Sequence, residues 1–258
     1  MTEGELQVVR AVGFVLAFAA ALTFQRLLPH ARLAGSWRVN GAFWAIDAVL
    51  IGLVCGACGC VVARWAEVHE VGLFHSVTAT PWAAVLVTVV ALDVVSYLWH
   101  RANHAIAFLW RFHQVHHSDP TFTVSTGLRF HPGELLLSLP LRLTAVVALG
   151  ASPLGVVVFE VLFTIANLIE HGDIDLPDVL ERRLSRVCVL PALHRLHHSR
   201  NTRELNTNFG TIFSVWDRAF GTYRVSSSSR EVDTGLPGAP DLSSLPRALL
   251  LPFARRSR

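Results

Sequence analysis

The chain has no lysine, one methionine and two tyrosines among 258 residues, and only 16% of its residues are charged. Its formal charge of +3 therefore comes from arginine alone. That excess is small and spread along the chain, which excludes the concentrated basic face of a nucleic-acid-binding protein while suiting an anionic lipid surface. The four cysteines form no disulfide framework. Cys55, Cys58 and Cys60 sit among Gly52, Gly56 and Gly59 in an apolar run. Small residues that let two membrane helices approach closely, with Gly52 and Gly56 in GxxxG spacing, account for them better than a metal site does. No heptad array or long repeat is present, and length alone leaves one large domain or two small ones open.

What the chain has in excess is apolar surface. Hydrophobic residues make up 52% and mean hydropathy is +0.45, values of a membrane protein rather than a soluble one. Four apolar regions stand out, at 8–24, 42–63, 82–99 and 135–169. The first is interrupted only by Arg10, the second by Asp47, and the third carries Asp93. A span takes about 20 residues, so these three are expected to cross or insert deeply. The fourth holds Arg142, Gly150, Pro153 and Glu160 and is expected to be a helical hairpin bent at Gly150-Ala-Ser-Pro153. The first run has no basic leader and is not expected to be a signal peptide.

Arg26, Arg32 and Arg38 lie between the first two runs, whereas 64–81 has one arginine against Glu67 and Glu70. The positive-inside rule then places the first loop in the cytoplasm. Counting crossings brings the end of the third run, and the return of the hairpin, to that same face. The expected fold is all-α: one membrane-embedded bundle over 1–224 with a helical cytoplasmic cap, 100–134 and 170–224, at the inner membrane of a bacterium. Residues 225–258, with four consecutive serines and several prolines, read as a poorly ordered tail or a segment on the membrane surface.

Histidine is the residue that organises the chain. His100 and His104 are four apart, His113, His116 and His117 form an i, i+3, i+4 set, and His194, His197 and His198 repeat that set. On a helix such residues share a face, so each cluster points its imidazoles at one spot. His131 and His171 lie between, so ten of the thirteen histidines fall in or between the clusters; His30, His69 and His75 are expected to be ordinary surface or core residues. One zinc needs three or four ligands. This number suits two metals of higher coordination, and imidazole alone does not choose among iron, copper, nickel and zinc. No carboxylate lies inside a cluster as in His-Glu-x-x-His, which argues against a zinc-dependent membrane hydrolase. The gathering of the histidines at one end, with no polar path across the bilayer, argues against a non-catalytic metal carrier.

Other motifs surround the clusters: Asp93-Val-Val-Ser-Tyr97-Leu-Trp-His100-Arg101, Arg129-Phe-His131-Pro-Gly-Glu134, Asn206-Thr-Asn208-Phe-Gly210 and Trp216-Asp217-Arg-Ala-Phe-Gly-Thr-Tyr223. Over about residues 90–224 the sequence resembles the integral-membrane fatty acid hydroxylase and sterol desaturase superfamily, whose members are non-haem di-iron oxygenases. The resemblance implies two iron ions, with zinc able to replace them on purification. His100, His104, His113, His116, His117, His131, His171, His194, His197 and His198 would be the ligands. It implies hydroxylation or desaturation of a lipid C–H bond with O2, and a separate electron donor, a ferredoxin or reductase. Asp93, Tyr97, His100 and His104 share one helix face, and Asp93 is expected to orient a ligand histidine. Tyr97, Glu134, Glu170 and Asn208 are expected to support ligands in the same way, and Arg101 and Arg129 to hold a carboxylate or lipid headgroup. Two departures from the family are visible. Asp173 stands where a short polar residue, often Asn, is usual. His131-Pro-Gly is similar to the haem-binding His-Pro-Gly-Gly of cytochrome domains fused to some relatives, but Glu134 holds the fourth position, so that reading fails.

Overall fold

The computed structural model describes residues 1–55, 58–76, 80–225, 232–237 and 242–254. Among these the chain is helical, with isolated bridges in place of strands. Helix α1 (Glu3–Leu27) starts at a capping box in which Thr2 and Glu5 satisfy each other's backbone N–H. α4 (Pro81–Ala105) starts at Thr80 with proline in its first turn, which loses no helix hydrogen bond there. The fourth apolar run is a hairpin of α6 (Pro132–Leu149) and α7 (Pro153–Glu170). Gly150 makes the turn at φ 64°, a left-handed conformation that suits glycine, and the Ser152 side chain caps α7. α1, α4, α6 and α7 are each long and apolar enough to cross a membrane.

Of the expected span over 42–63, the described residues are helical on both sides of 56–57, as α2 (Trp37–Cys55) and α3 (Cys58–Val68). Gly56 lies outside the described residues, and with it the Gly52–Gly56 pairing. Gly59 does make a close approach: a Cβ there would come within 3.2 Å of Val156 and Glu160 on α7. Close packing on α7 recurs at Gly13 of α1, where a Cβ would lie 2.9 Å from Val161. α7 is thus the central post, and the main core gathers Leu6, Val89, Leu92, Val146, Val157 and Phe159 around it.

The bundle has a plain end and a built-over end. At the plain end Gly72 and Gly150 are in backbone contact. At the other, α1 ends, α2 begins, α4 ends, α6 begins and α7 ends. Over this end lie α5 (Ala107–His117), α8 (Asp178–Leu184), α9 (Pro191–His197), α10 (Thr202–Leu205) and α11 (Val215–Ala219). The arginine-bearing first loop is at this same end: Pro29 bridges to Ile174. Asp173 accepts from the Ala31 and Leu33 amides at 2.9 and 3.0 Å, so the departure after His171 has a structural use.

Of the expected tail, residues 232–237 and 242–254 are described. α12 (Leu245–Leu250) and the turn Leu251–Phe253 pack on the bundle, with Leu242 and Ala248 buried against Val39, Phe43 and Val115. Burial of apolar area at about 25 cal/mol per Å² favours that over a loose chain.

Candidate metal centre

Three helices carry eight of the imidazoles, and a fourth supplies the ninth from its end. α4 supplies His100 and His104 from its last turns, α5 supplies His113, His116 and His117, and α9 supplies His194 and His197 with His198 at its end. His171 follows directly on α7. The helical spacing aims each cluster inward, and two groups result. His100, His104, His113, His117 and His197 form one; His116, His171, His194 and His198 form the other, and within each group the ligand atoms lie within 4.8 Å of one another. The groups adjoin: the rings of His117 and His198 stack with centroids 4.1 Å apart.

The outward nitrogens set the chemistry of the inward ones. His100 Nδ1 donates to the Phe209 carbonyl at 2.9 Å, His171 Nδ1 to Asn167 at 2.6 Å, and His197 Nδ1 to Thr207 at 2.7 Å. His116 Nδ1 donates to the Arg129 carbonyl at 3.2 Å, and His113 Nδ1 to Glu134 Oε1 at 2.8 Å. A carbonyl or carboxylate oxygen only accepts, so each Nδ1 carries the proton and each Nε2 keeps a bare lone pair. Burial reinforces the neutral state, holding His116, His117, His194 and His198 well below the usual imidazole value and pushing His171 to about 4 and His197 to about 3.

Those lone pairs face each other. Nε2 of His171 is 3.0 Å from Nε2 of His116 and 3.0 Å from Nε2 of His194. Neither His116 nor His171 has a proton to place between them, and the buried Nε2 atoms of His100 and His197 have no hydrogen-bond partner among the described residues. Converging bare nitrogens in a buried site are costly unless a cation lies among them. The residues fit a metal in each group.

His131 is not brought to either group. Its Nδ1 accepts from the Gly133 amide at 2.9 Å and its Nε2 donates to the Leu249 carbonyl at 3.2 Å, so both nitrogens are used in capping α6 and tying down α12. Nine histidines converge, not ten.

Asp93 does not orient a histidine. Its carboxylate accepts from the Ile212 and Phe213 amides and, at 2.7 Å, from Trp216 Nε1, which moors the closing signature to α4. Tyr97 bonds Thr222 and stacks on Phe220, and the Asn208 side chain ties Leu193 to Arg224. These three position the cap rather than a ligand. Glu134, expected to act on the nearby His131, instead accepts from His113 Nδ1 and from Asn103. Glu170 Oε1 stands 3.9 Å from His171 Nδ1, beyond hydrogen bonding, and 3.8 Å from His194 Nε2. Arg129 is too buried for a headgroup: it donates to Val115, Asn40 and Ser118. Arg101 is exposed on α4. Sequence reasoning missed Asn103, and it missed Asp119, which collects Ser36, Asn40 and Thr126 under the cap.

A cavity of about 200 Å³ opens from the histidines down between α4, α6 and α7. His116, His171 and His194 line its upper end, and Val95, Leu135 and Phe163 its walls.

A membrane-crossing helical bundle, closed at one end over two adjoining imidazole groups and a descending apolar cavity, defines a histidine-rich metal protein of the membrane. Comparison with known proteins gives the family: the fatty acid hydroxylase pattern matches residues 85–222, and the chain belongs to that family. It is 34% identical to ornithine lipid hydroxylase OlsE of Rhizobium tropici, over 63% of this chain and 48% of that one. It is 30% identical to alkylglycerol monooxygenase of Danio rerio, over 63% of this chain and 34% of that one. Identity to cholesterol 25-hydroxylase of Rattus norvegicus is 28%, over 58% and 50%. The chain thus spans about half or less of the length of these relatives. No solved structure matches it.

Proposed function

We propose that this chain is a di-iron oxygenase that hydroxylates, or desaturates, a C–H bond of a membrane lipid. The observation that carries the reading is the pair of neutral imidazole groups opening onto an apolar cavity within membrane-crossing helices. His100, His104, His113, His117 and His197 would hold one ion, and His116, His171, His194 and His198 the other. When bound, the two irons supply reduction of O2 and attack on an unactivated C–H bond. The chain's own residues do the rest. Backbone carbonyls of Phe209, Asn167, Thr207 and Arg129, with Glu134, keep five imidazoles in the ligating tautomer. Val95, Leu135 and Phe163 exclude water and hold an apolar chain beneath the histidines. Hydroxylation consumes O2, two electrons and two protons for each oxygen inserted, so an electron donor, a ferredoxin or reductase, is a partner. The arginines of the first loop lie at the metal end, which supports a cytoplasmic site at a bacterial inner membrane.

The test is metal analysis of protein purified without oxygen, joined to lipid analysis of a deletion strain. Two irons per chain, and loss of an oxidised lipid in the strain, are the expected results. One zinc with hydrolysis that needs no oxygen would overturn the reading.

A further inference from the structure

Charges inside membrane helices mark function unless they are matched, and three lie together below the histidine site. Arg10 on α1 pairs with Glu160 on α7 at 2.8 Å. Arg142 on α6 is the third. It feels Glu160 only as a more distant charge, and its guanidinium carbon sits 5.5 Å from the centre of the Phe163 ring. Two cations thus share one carboxylate, leaving a surplus positive charge, and Arg142 is the one not in the direct pair.

Arg142 also lines the histidine cavity, further along α6 than Glu134, which bonds His113. A smaller recess of about 70 Å³ adjoins it, sharing Val95, Ser96 and Arg142 and reaching Glu160. The space is therefore lined by histidines of the site, by apolar walls and by a cation that makes no hydrogen bond among the described residues. Arg142 is eight residues, about 12 Å of helix, from Glu134 beside His113.

We propose that Arg142 binds the anionic oxygens, carboxylate or phosphate, of the lipid that occupies this cavity, directing its hydrocarbon toward the histidines. The position attacked then lies on the hydrocarbon, away from the charged group. A guanidinium matches two oxygens of either anion at once, which an alcohol does not offer. This rests on the cavity being the lipid site of the proposed oxygenase.

The experiment measures binding of palmitic acid, hexadecyl phosphate and hexadecanol to the full chain in an uncharged detergent, with metal content measured in parallel. The unaltered protein is expected to prefer at least one anion over the alcohol by about tenfold or more, as for a hydrogen bond to a charged group. Comparing the two anions identifies which oxygen group is the natural match. Arg142→Gln should bring that preference close to one, and Arg142→Lys should retain part of it. Glu160→Gln, which removes the balancing carboxylate, should increase it, and this variant keeps the test decisive if Arg142→Gln does not fold. Equal binding of acid, phosphate and alcohol, or a preference that Arg142→Gln or Glu160→Gln leaves unchanged, would overturn the proposal. The oxygenase reading is separate: it fails if the metals are absent while anion preference persists.

Discussion

The two imidazole groups differ in number and in enclosure. The first has five members and draws on α4, α5 and α9; two of them, His100 and His104, are only partly buried. The second has four members, all buried, and includes His171 from the end of α7, the post around which the bundle packs. A five-member group can lose a ligand and still offer as many as the other group has. The four-member group has no such reserve. The lesson is that similar-looking histidine clusters are unequal in what they tolerate.

The largest effect should therefore come from the second group. His116→Ala leaves three imidazoles there, and the expected outcome is loss of one of two ions per chain together with all turnover. Elemental analysis beside a lipid oxidation assay checks it. Full activity in this variant would remove the ligand assignment. Glu134→Ala comes next. It leaves the first group's five imidazoles in place but frees His113 Nδ1, and losses of this kind reduce metal affinity by about 10–100-fold. Competition with a graded chelator measures it, and unchanged affinity would show that the carboxylate serves only packing.

How much of this was legible beforehand depends on where each partner sits in the chain. The apolar runs and the hairpin at Gly150 follow from local composition, and helical spacing alone put each cluster on one face. The partners of the outward nitrogens were hidden, because four of the five are backbone carbonyls and every residue has one. Asp93 was singled out correctly as an acid in an apolar helix, but its partners, Ile212, Phe213 and Trp216, lie about 120 residues away. Spacing on one helix does not carry that information. The packing of α12 on α2 was likewise set by tertiary contacts.

A smaller effect separates the groups more finely. His104→Ala removes a member of the first group that lies only partly buried at the end of α4. Four imidazoles remain, so both ions should stay bound, with affinity at the first site reduced by about tenfold or less, below the 10–100-fold expected when an orienting partner is removed. If His104→Ala empties the site as completely as His116→Ala does, the reserve of the five-member group does not exist.

The smallest effect on metal is expected at His131, and it tests where the site ends. His-Pro-Gly has the form of a helix start, a capping residue followed by proline in the first turn, and the His131 ring indeed accepts from the Gly133 amide. Its other nitrogen is bonded to the Leu249 carbonyl, so no lone pair is left for an ion. His131→Ala should leave two metals per chain while removing a helix cap, at a cost of about 1 kcal/mol. In a chain of this size that corresponds to a fall in Tm of about 2–4 °C. His131→Asn, which can still cap, should recover part of that fall. A drop in metal content in either variant would place His131 among the ligands and extend the site to the start of α6.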